Sequence, residues 1–146
     1  MTQSTSRCLF TEGSIELPTG FFDQSVNVLR STDPAAPAYS VARDRLPQGV
    51  ALQDYINNQL KIMEKHLPAW QKPERGSISL GKGLMEGESI MTSYQRDGQR
   101  ICQQQAIFEL KHSQILVFTQ TKNSEITEAD KAQFSALVAS FNFHAA

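Results

Sequence analysis

The chain has 146 residues, 40% hydrophobic and 20% charged, with a formal net charge of −1. That length supports one domain with its own core, and the balanced charge gives no footprint for nucleic acid and no basic run for an anionic membrane surface. No apolar run approaches the roughly 20 residues needed to cross a bilayer. In chain order, residues 1–8 are polar and expected to fray. They lack the apolar segment and cleavage signature of a secretory or lipoprotein signal. Ile15 and Leu17 alternate before Pro18-Thr19-Gly20, which predicts a short strand and a turn. Ser25–Leu29 alternates again, Thr32–Ala38 is a Pro- and Ala-rich loop, and Tyr39–Arg43 predicts another strand ended by Pro47-Gln48-Gly49.

Leu52 to Leu67 is the clearest helix. Leu52, Ile56, Leu60, Met63 and Leu67 recur at three- and four-residue steps, with Tyr55, Gln59 and Ile62 beside them, and Pro68 stops the run. Strands follow at Ser77–Leu80 and Leu84–Arg96. Asp97-Gly98 is a two-residue hairpin signal, because a type I′ turn needs positive φ at both positions. Gln99–Leu110 is then the partner strand. Lys111-His112-Ser113 makes a second tight connection to a strand at Gln114–Thr121. Thr127 with Asp130 three residues on predicts a capped helix start, and Phe134, Leu137, Val138 and Phe141 give that helix one apolar face. The sum is an α+β fold, a mostly antiparallel sheet packed with two main helices. It forms a single domain over 1–146, ordered from about residue 8 to 143.

The most informative stretch is Ile101-Cys102-Gln103-Gln104-Gln105-Ala106-Ile107-Phe108. With Asp97-Gly98 as the turn, Tyr94 sits opposite Ile101, Thr92 opposite Gln103 and Ile90 opposite Gln105. Side chains alternate with period two, so one face shows Ile90, Thr92, Tyr94, Ile101, Gln103, Gln105 and Ile107. The other shows Met91, Cys102, Gln104, Ala106, Phe108 and Leu110. The second set suits a helix-covered core, with Gln104 its awkward member. The first interleaves aliphatic groups with amides. It is either a solvated surface with a few exposed apolar groups or a platform for a partly apolar partner, since an amide both donates and accepts.

Chemistry for catalysis is not visible. His66, His112 and His144 are scattered, and no cluster has metal-ligand spacing. Gly81-Lys82-Gly83 is too short for a phosphate loop. Two isolated cysteines, Cys8 and Cys102, give no disulfide framework. The expectation is a cytoplasmic protein that is not an enzyme and needs no cofactor and no metal.

Several motifs together resemble a known family. They are Glu12-Gly13-Ser14-Ile15-Glu16-Leu17-Pro18, then Asp23–Val28, Ala42-Arg43-Asp44, Asp54-Tyr55, Gln59-Leu60, Leu67-Pro68, and Tyr94–Gly98 leading to Gln104-Gln105-Ala106 and Phe108. Each is weak alone, but their order and spacing are similar to those of the Eag-type effector-associated chaperones of bacterial type VI secretion. That family belongs to the DcrB-like group with a PsbP-like α+β fold. The resemblance implies a homodimeric cytoplasmic chaperone that shields N-terminal transmembrane helices of a cognate effector, often carrying a PAAR domain, before loading onto the VgrG spike. It implies no nucleic acid and no stable membrane association. Carried over by position, the groove is Val26, Val28, Ser40, Gln59, Met63, Leu67, Ile101 and Gln105. Gln103 and Ile107 join it by face geometry alone. Two other readings are a module for a small apolar ligand and a chaperone of the type III kind.

Overall fold

A computed structural model describes residues 6–144. Two short strands, β1 (Arg7–Phe10) and β2 (Gly13–Glu16), pair as a separate hairpin. The main sheet is built from β3 (Asn27–Leu29), β4 (Ala38–Arg45), β5 (Gln71–Leu80), β6 (Met85–Arg96), β7 (Gln99–Glu109) and β8 (Gln114–Lys122). Its order is β3-β4-β8-β7-β6-β5, and every pairing is antiparallel. Helix α1 (Leu52–His66) follows β4 and helix α2 (Glu128–Ala139) follows β8. The fold is α+β, as the sequence predicts.

Each face of the sheet carries a helix. On one, Ile56 and Leu60 of α1 pack with Leu46, Ile90, Ile107 and Ile115. On the other, Phe134 and Val138 of α2 pack with Leu80, Ala106, Phe108, Leu116 and Phe118. The alternation along β7 produces this split: Ala106 and Phe108 turn to α2 while Ile107 turns to α1. Each large side chain so buried contributes about 1.5–3 kcal/mol. The glutamine-bearing face is therefore not simply open; α1 covers part of it.

The Asp97-Gly98 turn has φ of 52° and 77°, and it sets the pairs Tyr94–Ile101, Thr92–Gln103 and Ile90–Gln105 as expected. Gln104 lies under α2, where its amide oxygen accepts from Gln120 Nε2 at 2.8 Å and its own Nε2 donates to Ser89 Oγ at 3.3 Å. Two expectations need correcting. Arg7 and Cys8 are not frayed: they belong to β1, held by the ladder to β2. Residues 1–5 lie outside the described residues. β5 starts six residues earlier than predicted, because Pro73 and a register shift between Gln71 and Glu74 are tolerated on an edge strand. The Lys111–Ser113 connection is a short 3-10 turn with positive φ at His112 and Ser113.

The start of α2 is capped reciprocally. Asp130 N–H donates to Thr127 Oγ1 at 3.1 Å, and Thr127 N–H donates to the Asp130 carboxylate at 2.9 Å. Lys122 Nζ adds a 2.8 Å ion pair to Asp130. Thr127→Ala is expected to cost about 1 kcal/mol, measured by chemical denaturation. Asp130→Ala costs more than Thr127→Ala, because the Lys122 bond is lost as well.

Candidate functional site

The predicted residues meet along rows that cross the sheet. Val28 pairs with Ser40, Ser40 with Thr119, Thr119 with Gln105, and Gln105 with Ile90. Partners in antiparallel strands project to the same side. Val28, Ser40, Thr119 and Gln105 thus form one apolar–hydroxyl–amide row on the face that carries α1. The next row holds Ala38, Thr121, Gln103 and Thr92. There Gln103 Nε2 donates to Thr121 Oγ1 at 3.2 Å. Gln105, half-buried beside it, has no such side-chain bond among the described residues. Its donors and acceptor are free for a partner.

Helix α1 forms the wall of this platform. Gln59, Met63 and Leu67 follow at four-residue steps, so they share a side of the helix, and all three are half-buried. Met63 also packs against the Ile56–Ile107 cluster. The helix is fixed at both ends. Near its start, the Tyr55 hydroxyl donates to the Asp44 carboxylate on β4. Burial, with Asp44 adding to it, pushes the Tyr55 phenol well above its usual range. Across the sheet, Gln53 Nε2 donates to Glu88 at 2.8 Å, Arg75 donates to Glu88, and Arg75 Nη1 donates to Asn57 at 2.7 Å. Beyond the far end, Gln95 N–H donates to the Pro68 carbonyl at 2.9 Å and Arg100 donates to the Ala69 carbonyl at 2.8 Å.

The other predicted residues divide. Val26 precedes β3 and is 55% exposed, while Val28 on β3 is 56% exposed. Arg43 donates to the Ser25 carbonyl at 3.3 Å and to Asn27, which tethers this segment to β4. Ile101 is half-buried near the Asp97-Gly98 turn. Ile107 is corrected from groove to core: it is 5% exposed beneath α1, in one cluster with Ile56 and Leu60. Thr119 and Thr121 were not among the predicted residues. Their signal, alternate threonines in β8, acquires meaning only once β8 is known to lie between β4 and β7.

Among the described residues no group of His, Cys, Asp and Glu could hold a metal ion, and no helix is long and apolar enough to cross a membrane. Two concavities lie away from the row. One of about 290 Å³ is bordered by Gln71, Glu74, Cys102, Ile126 and Lys131. The other, about 530 Å³, is bordered by Phe22, Asp23, Arg43, Arg45 and His112. The platform itself is a graded face, exposed at Val28, half-buried at Ser40, Gln103 and Gln105, and buried at Thr119 and Thr92.

The ion pairs around α1 and α2 make stability depend on acid. Burial alone would raise the Glu88 carboxyl, but bonds from Arg75 and Gln53, with the Arg75 charge, outweigh it and hold the group below its ordinary value of 4.5. The Lys122 bond, with the Thr127 backbone N–H, holds Asp130 down likewise. In the unfolded chain these groups take up protons at higher pH than in the folded one. Their stabilisation is complete above the ordinary carboxylate range and is lost as pH falls through the depressed folded values. Thermal midpoints should drop over that acidic window, and Glu88→Gln should flatten the drop.

Residues 12–140 match the family model described as DcrB. The chain belongs to the DcrB family. A curated relative of this DcrB-family chain, described as Effector EagT6 of Pseudomonas aeruginosa, is 24% identical over 131 residues, 86% of this chain and 88% of that protein. The crystal structure of PA94, a protein of unknown function from Pseudomonas aeruginosa, superposes with a TM-score of 0.74 at 22% identity. The match covers 99% of this chain and all of that one. At that identity it speaks for the fold, and it is a whole-chain match.

Proposed function

We propose that this DcrB-family protein is an effector chaperone of type VI secretion that shields N-terminal transmembrane helices of its cognate effector. The observation that carries the reading is the row Val28–Ser40–Thr119–Gln105, exposed at Val28, half-buried at Ser40 and Gln105 and buried at Thr119, on the face where α1 presents Gln59, Met63 and Leu67. Its likeness to a protein named Effector EagT6 supports the same direction. An apolar helix of about 20 residues left in water would aggregate or insert wrongly. Each large side chain it buries on the platform gains about 1.5–3 kcal/mol. Its small polar groups find partners in Gln103, Gln105 and the threonines.

In this reading the protein works in the cytoplasm as a homodimer without catalysis or cofactor. The effector carries a PAAR domain and leaves on the VgrG spike. A site for a small apolar ligand would call for an enclosed cavity, whereas this platform is a long face, which favours an extended partner.

Co-expression tests the proposal. An effector with N-terminal apolar helices, encoded beside this protein's gene, should become soluble and co-purify with it. Unchanged effector solubility and abundance, with no complex recovered, refutes the reading.

A further inference from the structure

Glu88 is, among the described residues, the one acidic or basic side chain that is buried, at 9% exposure. It stands on β6 opposite Ile107, a member of the apolar cluster under α1. Gln53 Nε2 donates to its carboxylate at 2.8 Å, and Arg75 of β5 donates to the same carboxylate. Arg75 Nη2 also donates to Gln53 Oε1 at 3.1 Å, which closes a ring, and Arg75 Nη1 donates to Asn57 one turn along α1. Between them in sequence, Tyr55 donates to Asp44 of β4. The first half of α1 thus meets charged side chains from three strands.

Apolar packing alone does not fix where α1 sits along its own axis. Burial is non-directional, and Leu52, Ile56 and Leu60 repeat at four-residue steps. A slide of one turn, about 5.4 Å, puts Leu52 and Ile56 where Ile56 and Leu60 stand, apolar for apolar. The polar positions do not repeat. That slide puts Gly49 where Gln53 meets Glu88, and Ala51 where Tyr55 meets Asp44. The opposite slide puts Lys61 where Asn57 meets Arg75, like charge against like.

We infer that Gln53, Tyr55 and Asn57 are positioning residues that, with Glu88, Arg75 and Asp44, set the register of α1 on the sheet. Desolvation offsets much of the attraction within a buried ion pair, and fixing a register is the best-attested use of such a pair. The register matters because Gln59, Met63 and Leu67 ride on the same helix. One turn of slide would displace all three by about 5.4 Å relative to Gln105. The inference rests on the chaperone reading for its purpose, but the register is measured on the chain alone.

Pulsed electron spin resonance of the full chain, without effector, decides it. Nitroxides go on Lys65→Cys of α1 and Glu109→Cys of β7, both exposed positions, with Cys8→Ser and Cys102→Ser. A narrow distance is expected while α1 is otherwise unaltered. Gln53→Ala with Tyr55→Phe and Asn57→Ala removes the polar groups of α1 and leaves Glu88 paired with Arg75. That variant should keep its circular dichroism while the distance broadens or shifts by up to about 5.4 Å. Asn57→Asp alone keeps an acceptor for Arg75 and should keep the narrow distance. An unchanged narrow distance in the triple variant overturns the inference. Should the triple variant unfold, Gln53→Ala with Asn57→Ala, both exposed positions, is judged by the same two outcomes. Without labels, the triple variant is expected to lose effector capture. A displaced helix with undiminished capture would count against the chaperone reading and not against the register.

Discussion

Gln105→Glu is expected to abolish capture of an apolar effector segment while leaving the protein folded, and Ile101→Asp to do the same. Both side chains are half-buried and outside the two buried clusters. The free protein keeps either new charge in contact with water, so its stability should change by about 1 kcal/mol or less. Under an apolar helix the same charge has no counter-ion, and an uncompensated buried charge costs about 3–5 kcal/mol. Since 1.4 kcal/mol is about tenfold in affinity, the loss is a hundredfold or more. Lys61→Glu, on an exposed position of α1, is the matched control and should leave capture intact. Co-purification and thermal unfolding read the two effects separately. Normal capture by both Gln105→Glu and Ile101→Asp would place the groove elsewhere.

Gly87→Ala is the second large effect, this time on stability. A Cβ at Gly87 would stand 2.3 Å from the Ile107 carbonyl oxygen and 2.4 Å from Phe108 Cδ1. The ring of Phe108 is fully buried and meets Phe118 edge-on at 6.0 Å. The missing side chain at 87 is what lets that ring pack close against β6. Overpacking here should cost about 1–3 kcal/mol or more, and Phe108→Ala about 3–5 kcal/mol, against a total stability of about 5–15 kcal/mol. Combining them removes the clash with the ring but not the one with the carbonyl. The double variant should therefore be less destabilised than the sum, yet still worse than Phe108→Ala alone. Urea denaturation of the three variants measures this, and a Gly87→Ala protein as stable as its parent would contradict the β6–β7 register.

Much of this was legible in local sequence. Asp97-Gly98 fixed the β6–β7 register and hence which glutamines share a side; Thr127 with Asp130 marked the start of α2. These are short-range signals whose physics is contained within a few residues. The order of the strands is not. β8 enters between β4 and β7, a pairing that no turn motif encodes, so Thr119 and Thr121 stayed hidden. The fate of Ile107 was equally non-local. It depends on where α1 lies, and that is set by Tyr55 meeting Asp44 and by Gln53 and Asn57 meeting Glu88 and Arg75. The β1 strand escaped for another reason: Arg7–Phe10 has no periodicity beyond four residues, and its partner supplies the ladder.

The ties on α1 carry a consequence for selectivity. Hydrogen bonds secure it at Gln53, Tyr55 and Asn57 and again just beyond its end at Pro68 and Ala69. A bar bolted at both ends does not swing aside, so in the proposed chaperone role Gln59, Met63 and Leu67 would hold fixed places on the face that carries Gln105. Little ordering entropy remains to be lost when a guest arrives. Girth would then be the property selected under the proposed function: a guest helix with alanine, glycine or serine facing the bar is expected to bind more tightly than one with phenylalanine or tryptophan there.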